Sequence, residues 1–203
     1  MTDYRWKTTE KEQVLPKAPP PILKEWQAGW LWAAATTIGL VVGMVFYTLI
    51  GGELLISAIV IGVLTGWTQM LILTLQRARV GWLWVLNSVI AWVTWSMSIP
   101  VFGAINLLAG FGLGVLVGFL HWLNLRRRVE RALWWVAANV AGWTIGLGLY
   151  LPVTQWAGTW LIGFAVSGLA AGSIIALAVV AMLRKPVFEL PAETPLKDDY
   201  QSS

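Results

Sequence analysis

His121 is the one residue whose type alone could carry conventional chemistry, since the chain has a single histidine and no cysteine. An imidazole can ligate the metal of a tetrapyrrole or relay a proton, and an ionisable group within a membrane is a functional candidate by default. His121 follows Gly114 and Gly118 on one helical face, because residues three and four apart are neighbours on a helix. The pattern occurs earlier, where Gly62 and Gly66 precede Gln69, and again later, where Gly168 and Gly172 precede Ile175. A glutamine at the matching place gives His121 a second reading: a group that hydrogen-bonds between helices by keeping one donor and one acceptor. Asn87 and Asn139 can join helices in the same way, or line a polar path with Gln69 and His121. His121 precedes Arg126 by five residues, about 7.5 Å of helix rise, which predicts a shallow, easily hydrated position.

What is missing narrows the field. Without cysteine there is no disulfide, thiol catalysis or thiolate metal centre. The sequence has no nucleophile–base pair, phosphate-binding loop, dinucleotide fingerprint or metal-ligand spacing. No Asp, Glu or Lys falls inside an apolar run, where ion-coupled transporters normally place charges. Glu53 sits at a break between runs, as a hydrated carboxylate. Thr65, Thr68, Ser88, Thr94, Ser96 and Ser98 are expected to satisfy backbone carbonyls. The expectation is a protein with no catalytic residue, no metal and no resident cofactor, with a tetrapyrrole on His121 as the alternative.

The elements that position these residues are long and apolar. Apolar residues make up 58% of the 203 and charged residues 12%, against about 25% charged in a soluble domain. Six apolar runs, at about 28–50, 54–76, 82–99, 104–125, 133–151 and 159–183, approach the roughly 20 residues that cross a ~30 Å hydrocarbon core. They predict an all-α integral membrane protein with six transmembrane helices. The basic groups of the core, Arg77, Arg79, Arg126, Arg127, Arg128 and Arg131, all fall in alternate breaks. The positive-inside rule then places that side, and both termini, in the cytoplasm. The high pI of about 9.6 is therefore a topology signal and not a nucleic-acid face.

Residues 1–25 and 186–203 are proline-punctuated and polar, and read as disordered cytoplasmic tails around a membrane domain over 26–185. No cleavable signal precedes the first run, which is expected to act as an uncleaved insertion signal. Tryptophans follow the breaks. Trp26, Trp30, Trp32, Trp82, Trp84, Trp122, Trp134 and Trp135 fall at predicted cytoplasmic ends, and Trp156 and Trp160 at the opposite face, as an interfacial belt would. Trp67, Trp92, Trp95 and Trp143 lie deeper and need packing or a ligand to explain them.

The spacing repeats. Trp30, Trp82 and Trp134 are 52 residues apart (82−30 and 134−82), as are Asn87 and Asn139, Pro100 and Pro152, Gly62 and Gly114, and Gln69 and His121. The third unit lags by two, since Gly114 to Gly168 is 54 (168−114). Three helical hairpins, at about 27–78, 79–131 and 132–185, follow from this. Each has two spans, so all share one orientation and would be related by rotation about the membrane normal, as a pseudo-threefold bundle. The recurring GxxxG pairs are predicted helix-packing sites.

GVLTGWTQMLILTLQRARVGWLWVLNS and GVLVGFLHWLNLRRRVERALWWVAAN resemble a group of uncharacterised bacterial, chiefly cyanobacterial, polytopic membrane proteins with repeated GxxxGxxQxxxLxR and Trp-rich hairpins. The resemblance covers most of residues 27–185 and implies a bacterial inner or thylakoid membrane. The group offers no activity to carry over, and His121 stands where such sequences usually have glutamine. Mitochondrial carriers also have three hairpins, but their acidic proline motif is missing after Pro100 and Pro152.

Three functions fit. The chain would be a non-enzymatic scaffold or accessory subunit, with the bilayer and other membrane subunits as partners and no nucleic acid. The alternatives are a small-solute facilitator along the pseudo-axis or a pigment-binding protein using His121.

Overall fold

The computed structural model describes residues 21–76, 80–102, 107–126 and 132–183. Most of both tails, Arg77 and Arg79, the basic run Arg127, Arg128, Glu130 and Arg131, and Arg184 and Lys185 lie outside the described residues. Six helices follow in order: α1 Glu25–Leu49, α2 Leu54–Leu75, α3 Leu83–Phe102, α4 Leu107–Leu125, α5 Leu133–Ala157 and α6 Trp160–Leu183. Five are long and apolar enough to cross a membrane, and α3 has a shorter apolar stretch, Leu83–Ile99. Large apolar side chains such as Ile38, Leu71, Phe111 and Leu177 face outward, as suits a helix whose solvent is lipid.

Two boundaries differ from the sequence expectation for physical reasons. α5 does not stop at 151 but continues through Pro152 to Ala157. A proline deletes one backbone hydrogen bond, whereas ending the helix in hydrocarbon would expose several. The stop comes at Gly158, whose φ of 69° suits a residue without Cβ, and its N–H reaches the Thr154 carbonyl. α3 likewise runs past 99, through position 100, to Phe102. At the other end, α1 starts at Glu25, and the residues before it are held. Ile22 N–H donates to the Leu75 carbonyl, and Gln76 Nε2 donates to the Leu23 carbonyl.

Among the described residues each helix packs on its two neighbours in sequence, and α6 packs back on α1. The helices therefore form a closed ring. Neighbours run antiparallel: Gly39 and Gly43 of α1 meet Thr65 and Ile61 of α2. Lipid gives no hydrophobic drive to such contacts, so close backbone approach and hydrogen bonds must hold them.

The six predicted packing glycines lie on three seams. A Cβ on Gly62 would come 2.6 Å from Val89 Cα, and one on Gly66 2.9 Å from Val85 Cα, on the α2/α3 seam. On the α4/α5 seam an added Cβ would come 2.5 Å from Val140 Cα at Gly114 and 2.9 Å from Val136 Cα at Gly118. On the closing α6/α1 seam it would come 2.9 Å from Thr37 Cα at Gly168 and 2.9 Å from Ala33 Cα at Gly172. The partner positions 37, 89 and 140 are separated by 52 (89−37) and 51 (140−89). The second step is one residue shorter than the 52 between Asn87 and Asn139, and those two asparagines make different contacts.

A second set of small residues packs α1 on α2 and α5 on α6. Gly142 and Gly146 lie against the Ala171 and Ser167 carbonyls, as Gly39 and Gly43 do against α2. The corresponding α3 positions are Ala91 and Trp95. There the Trp95 indole N–H donates to the Ala109 carbonyl of α4 at 3.1 Å.

Candidate functional site

Three of the four polar residues picked out by the sequence, Gln69, His121 and Asn139, gather at one level of the ring around three tryptophans. Trp32, Trp84 and Trp135 come from α1, α3 and α5, which do not pack on each other as helices. Their side chains meet across the interior, with ring centroids 5.4 to 6.1 Å apart. Edge-to-face and tilted contacts of this kind match the indole quadrupoles. All three are 0–1% exposed, whereas Trp30, Trp82 and Trp134 are 66–67% exposed. The expected belt is therefore two populations. Trp30, Trp82 and Trp134 face outward as a belt requires, and Trp32, Trp84 and Trp135 form the centre.

Each central tryptophan carries a polar residue one helical turn on. Thr36 Oγ1 donates to the Trp32 carbonyl at 2.9 Å, Ser88 Oγ to Trp84 at 3.1 Å, and Asn139 Nδ2 to Trp135 at 2.9 Å. These bonds satisfy the polar groups within their own helices. Trp-x-x-x-(Thr/Ser/Asn) at 32/36, 84/88 and 135/139 was present in the sequence, and it marks this inner layer better than the asparagine spacing. Asn87 lies outside the layer, half-buried on the α3/α4 seam, where it donates to the Leu120 carbonyl at 2.8 Å.

The even helices bring Gln69, His121 and Ile175 to the same layer. Gln69 Nε2 lies 3.4 Å from Thr36 Oγ1 on α1, and its Oε1 accepts from Trp84 Nε1 of α3 at 3.4 Å. The amide thus spans both flanking helices, with two long hydrogen bonds. His121 Nε2 is 3.0 Å from Ser88 Oγ, and its ring stacks on Trp84 with centroids 3.9 Å apart and planes at 12°. His121 is 1% exposed, so the easily hydrated position expected from its depth is corrected: Trp84 covers the ring from one side. Ile175 fills the third place with an apolar side chain. Three nitrogens of the layer, Trp32 Nε1, Trp135 Nε1 and His121 Nδ1, have no hydrogen-bond partner among the described residues.

Further along the axis the filling remains aromatic. Trp92 packs edge-on against Trp95 at 5.5 Å and Trp143 at 5.1 Å. These were three of the four deep tryptophans that needed an explanation, and packing supplies it. The fourth, Trp67, points outward instead. Among the described residues no cluster of three His, Cys, Asp or Glu could hold a metal ion. Compared with protein-family models, curated proteins and solved structures, the chain matches none.

Proposed function

We propose that the chain is a non-enzymatic integral membrane protein, a scaffold or accessory subunit of a membrane complex. It crosses the membrane six times as three repeated hairpins set about a pseudo-threefold axis. One observation carries the functional reading: where a solute path along that axis would run, the Trp32, Trp84 and Trp135 indoles are in mutual contact. A facilitator needs Gln69 and His121 to line an open passage, and here they are turned to neighbouring helices. An axial tetrapyrrole ligand needs one imidazole nitrogen with room for a macrocycle beside it. His121 is buried in the layer, with its ring stacked on Trp84 and its Nε2 on Ser88.

The repeat reading is supported by the glycine seams, which recur at equivalent places including the α6/α1 closure. α3, at 20 residues, reaches about 30 Å at 1.5 Å per residue. The arginine-bearing breaks put both termini in the cytoplasm, and the sequence resemblance favours a bacterial inner or thylakoid membrane.

The test is purification in mild detergent followed by reconstitution into vesicles. We expect the native protein to migrate with stoichiometric partner subunits, to show no visible absorbance band, and to add no solute flux over empty vesicles. Saturable flux from the purified chain, or a Soret band lost in His121→Gln, would overturn the reading.

A further inference from the structure

We propose that one water molecule, enclosed by the tryptophan triad, accepts from the indole N–H groups of Trp32 and Trp135 and donates to His121 Nδ1. The inference goes beyond the scaffold reading and rests only on the geometry of the central layer.

The tautomer of His121 comes first. Ser88 Oγ lies 3.1 Å from the Trp84 carbonyl and 3.0 Å from His121 Nε2. The serine hydroxyl makes the same back-bond to its own helix as Thr36 does, so its single hydrogen goes to that carbonyl. Ser88 Oγ then accepts from Nε2–H, and Nδ1 is left as a lone-pair acceptor. That acceptor is buried and has no partner among the described residues, as have the Trp32 and Trp135 donors. Burying such a group with nothing to meet it is unfavourable.

The three groups are complementary in hydrogen bonding and sit on neighbouring side chains. Their rings are neighbours in the layer, with His121 and Trp135 centroids 6.1 Å apart and Trp32 and Trp135 centroids 5.4 Å apart. A water has two lone pairs and two hydrogens, and buried waters typically make about three hydrogen bonds. Two indole donors and one imine acceptor supply those three. The neighbouring position shows the direct form of the same bond, since Gln69 Oε1 accepts from Trp84 Nε1. The imidazole lies flat on Trp84, and neither its Nδ1 nor Trp135 Nε1 makes a direct hydrogen bond. The resulting chain, Trp84 carbonyl–Ser88–His121–water–Trp135, links α3, α4 and α5, as Thr36–Gln69–Trp84 links α1, α2 and α3.

Nitrogen-15 NMR of the full chain in lipid nanodiscs tests this, and the lone histidine makes the first readout free of any substitution. We expect His121 Nε2 at a protonated shift and Nδ1 at an unprotonated, hydrogen-bonded one. We expect the Trp32 and Trp135 indole protons, assigned through W32F and W135F, to show cross-relaxation to a long-lived water. In His121→Leu the Trp135 indole shift should move toward that of a weaker acceptor. His121 protonated at Nδ1 would overturn the proposal. So would indole protons shifted upfield without any water contact, the signature of N–H groups directed at a neighbouring ring. If W32F does not fold, the His121 shifts and the Trp135 water contact decide alone.

Discussion

Gly112 and Gly114 lie two residues apart in α4 and show what a single methyl group decides in this protein. A Cβ on Gly114 would meet the Val140 Cα and the Asn139 carbonyl at 2.5 and 2.6 Å, whereas one on Gly112 would meet nothing within 4 Å. Backbone cannot turn aside as a side chain can, so Gly114→Ala must push α4 and α5 apart. We expect it to lose about 1–3 kcal/mol, the scale of overpacking, and Gly112→Ala to fall within about 0.5 kcal/mol of the wild type or above it. Midpoints of thermal unfolding in one detergent compare the two. At His121 the corresponding contrast is chemical. Glutamine keeps a donor and an acceptor, so His121→Gln should keep folding and yield, while His121→Leu should cost about 1–2 kcal/mol, the size of a lost interhelical bond. A collapse of yield in His121→Gln would mean that the imidazole's stacking on Trp84 outweighs its hydrogen bonding.

Among the elements, the helix ends and the seams behave differently under substitution. Gly158 terminates α5 with φ at 69° and has open space around it. Gly158→Ala should therefore lose only the backbone term, about 1 kcal/mol, with no change in packing. A larger loss, read from the same unfolding midpoints, would point to a contact at that turn. The even helices and their glycines were legible in the sequence because lipid-embedded seams need small residues at fixed spacing, and GxxxG states that need directly. The inner tryptophans were not legible as a centre. Trp30 and Trp32, or Trp134 and Trp135, stand one or two residues apart, so depth along the chain gives them the same address while helical rotation turns one outward and the other inward. The α1/α2 and α5/α6 glycines escaped for a related reason: at the matching α3 positions Ala91 and Trp95 break the pattern, so no threefold count could reveal it.

For the whole molecule, orientation and closure yield separate expectations. Single cysteines placed at Glu12, Glu53 and Ser203 should react with an impermeant thiol reagent in intact cells only at position 53, and labelling at either terminus would reverse the topology. Closure predicts tolerance of a new start point. The first residues of α1 lie beside the last turns of α6, with Gly29 against Val180 and Ala176. Joining these ends by a flexible linker and opening the chain between α2 and α3 should give a circular permutant of similar unfolding midpoint. Failure of that permutant to fold, with the linker shown to be long enough, would mean that insertion order, not the final ring, governs assembly. The same seam sets a clock on biosynthesis. α1 leaves the ribosome before α6, so the face bearing Ala33 and Thr37 has to wait for Gly172 and Gly168 of α6. Until then Trp32 and Thr36 have no closed interior to enter, so the nascent chain passes through a state with an open side. Any membrane chaperone that serves this protein would have that gap as its substrate, and it would release the chain when the sixth helix arrives.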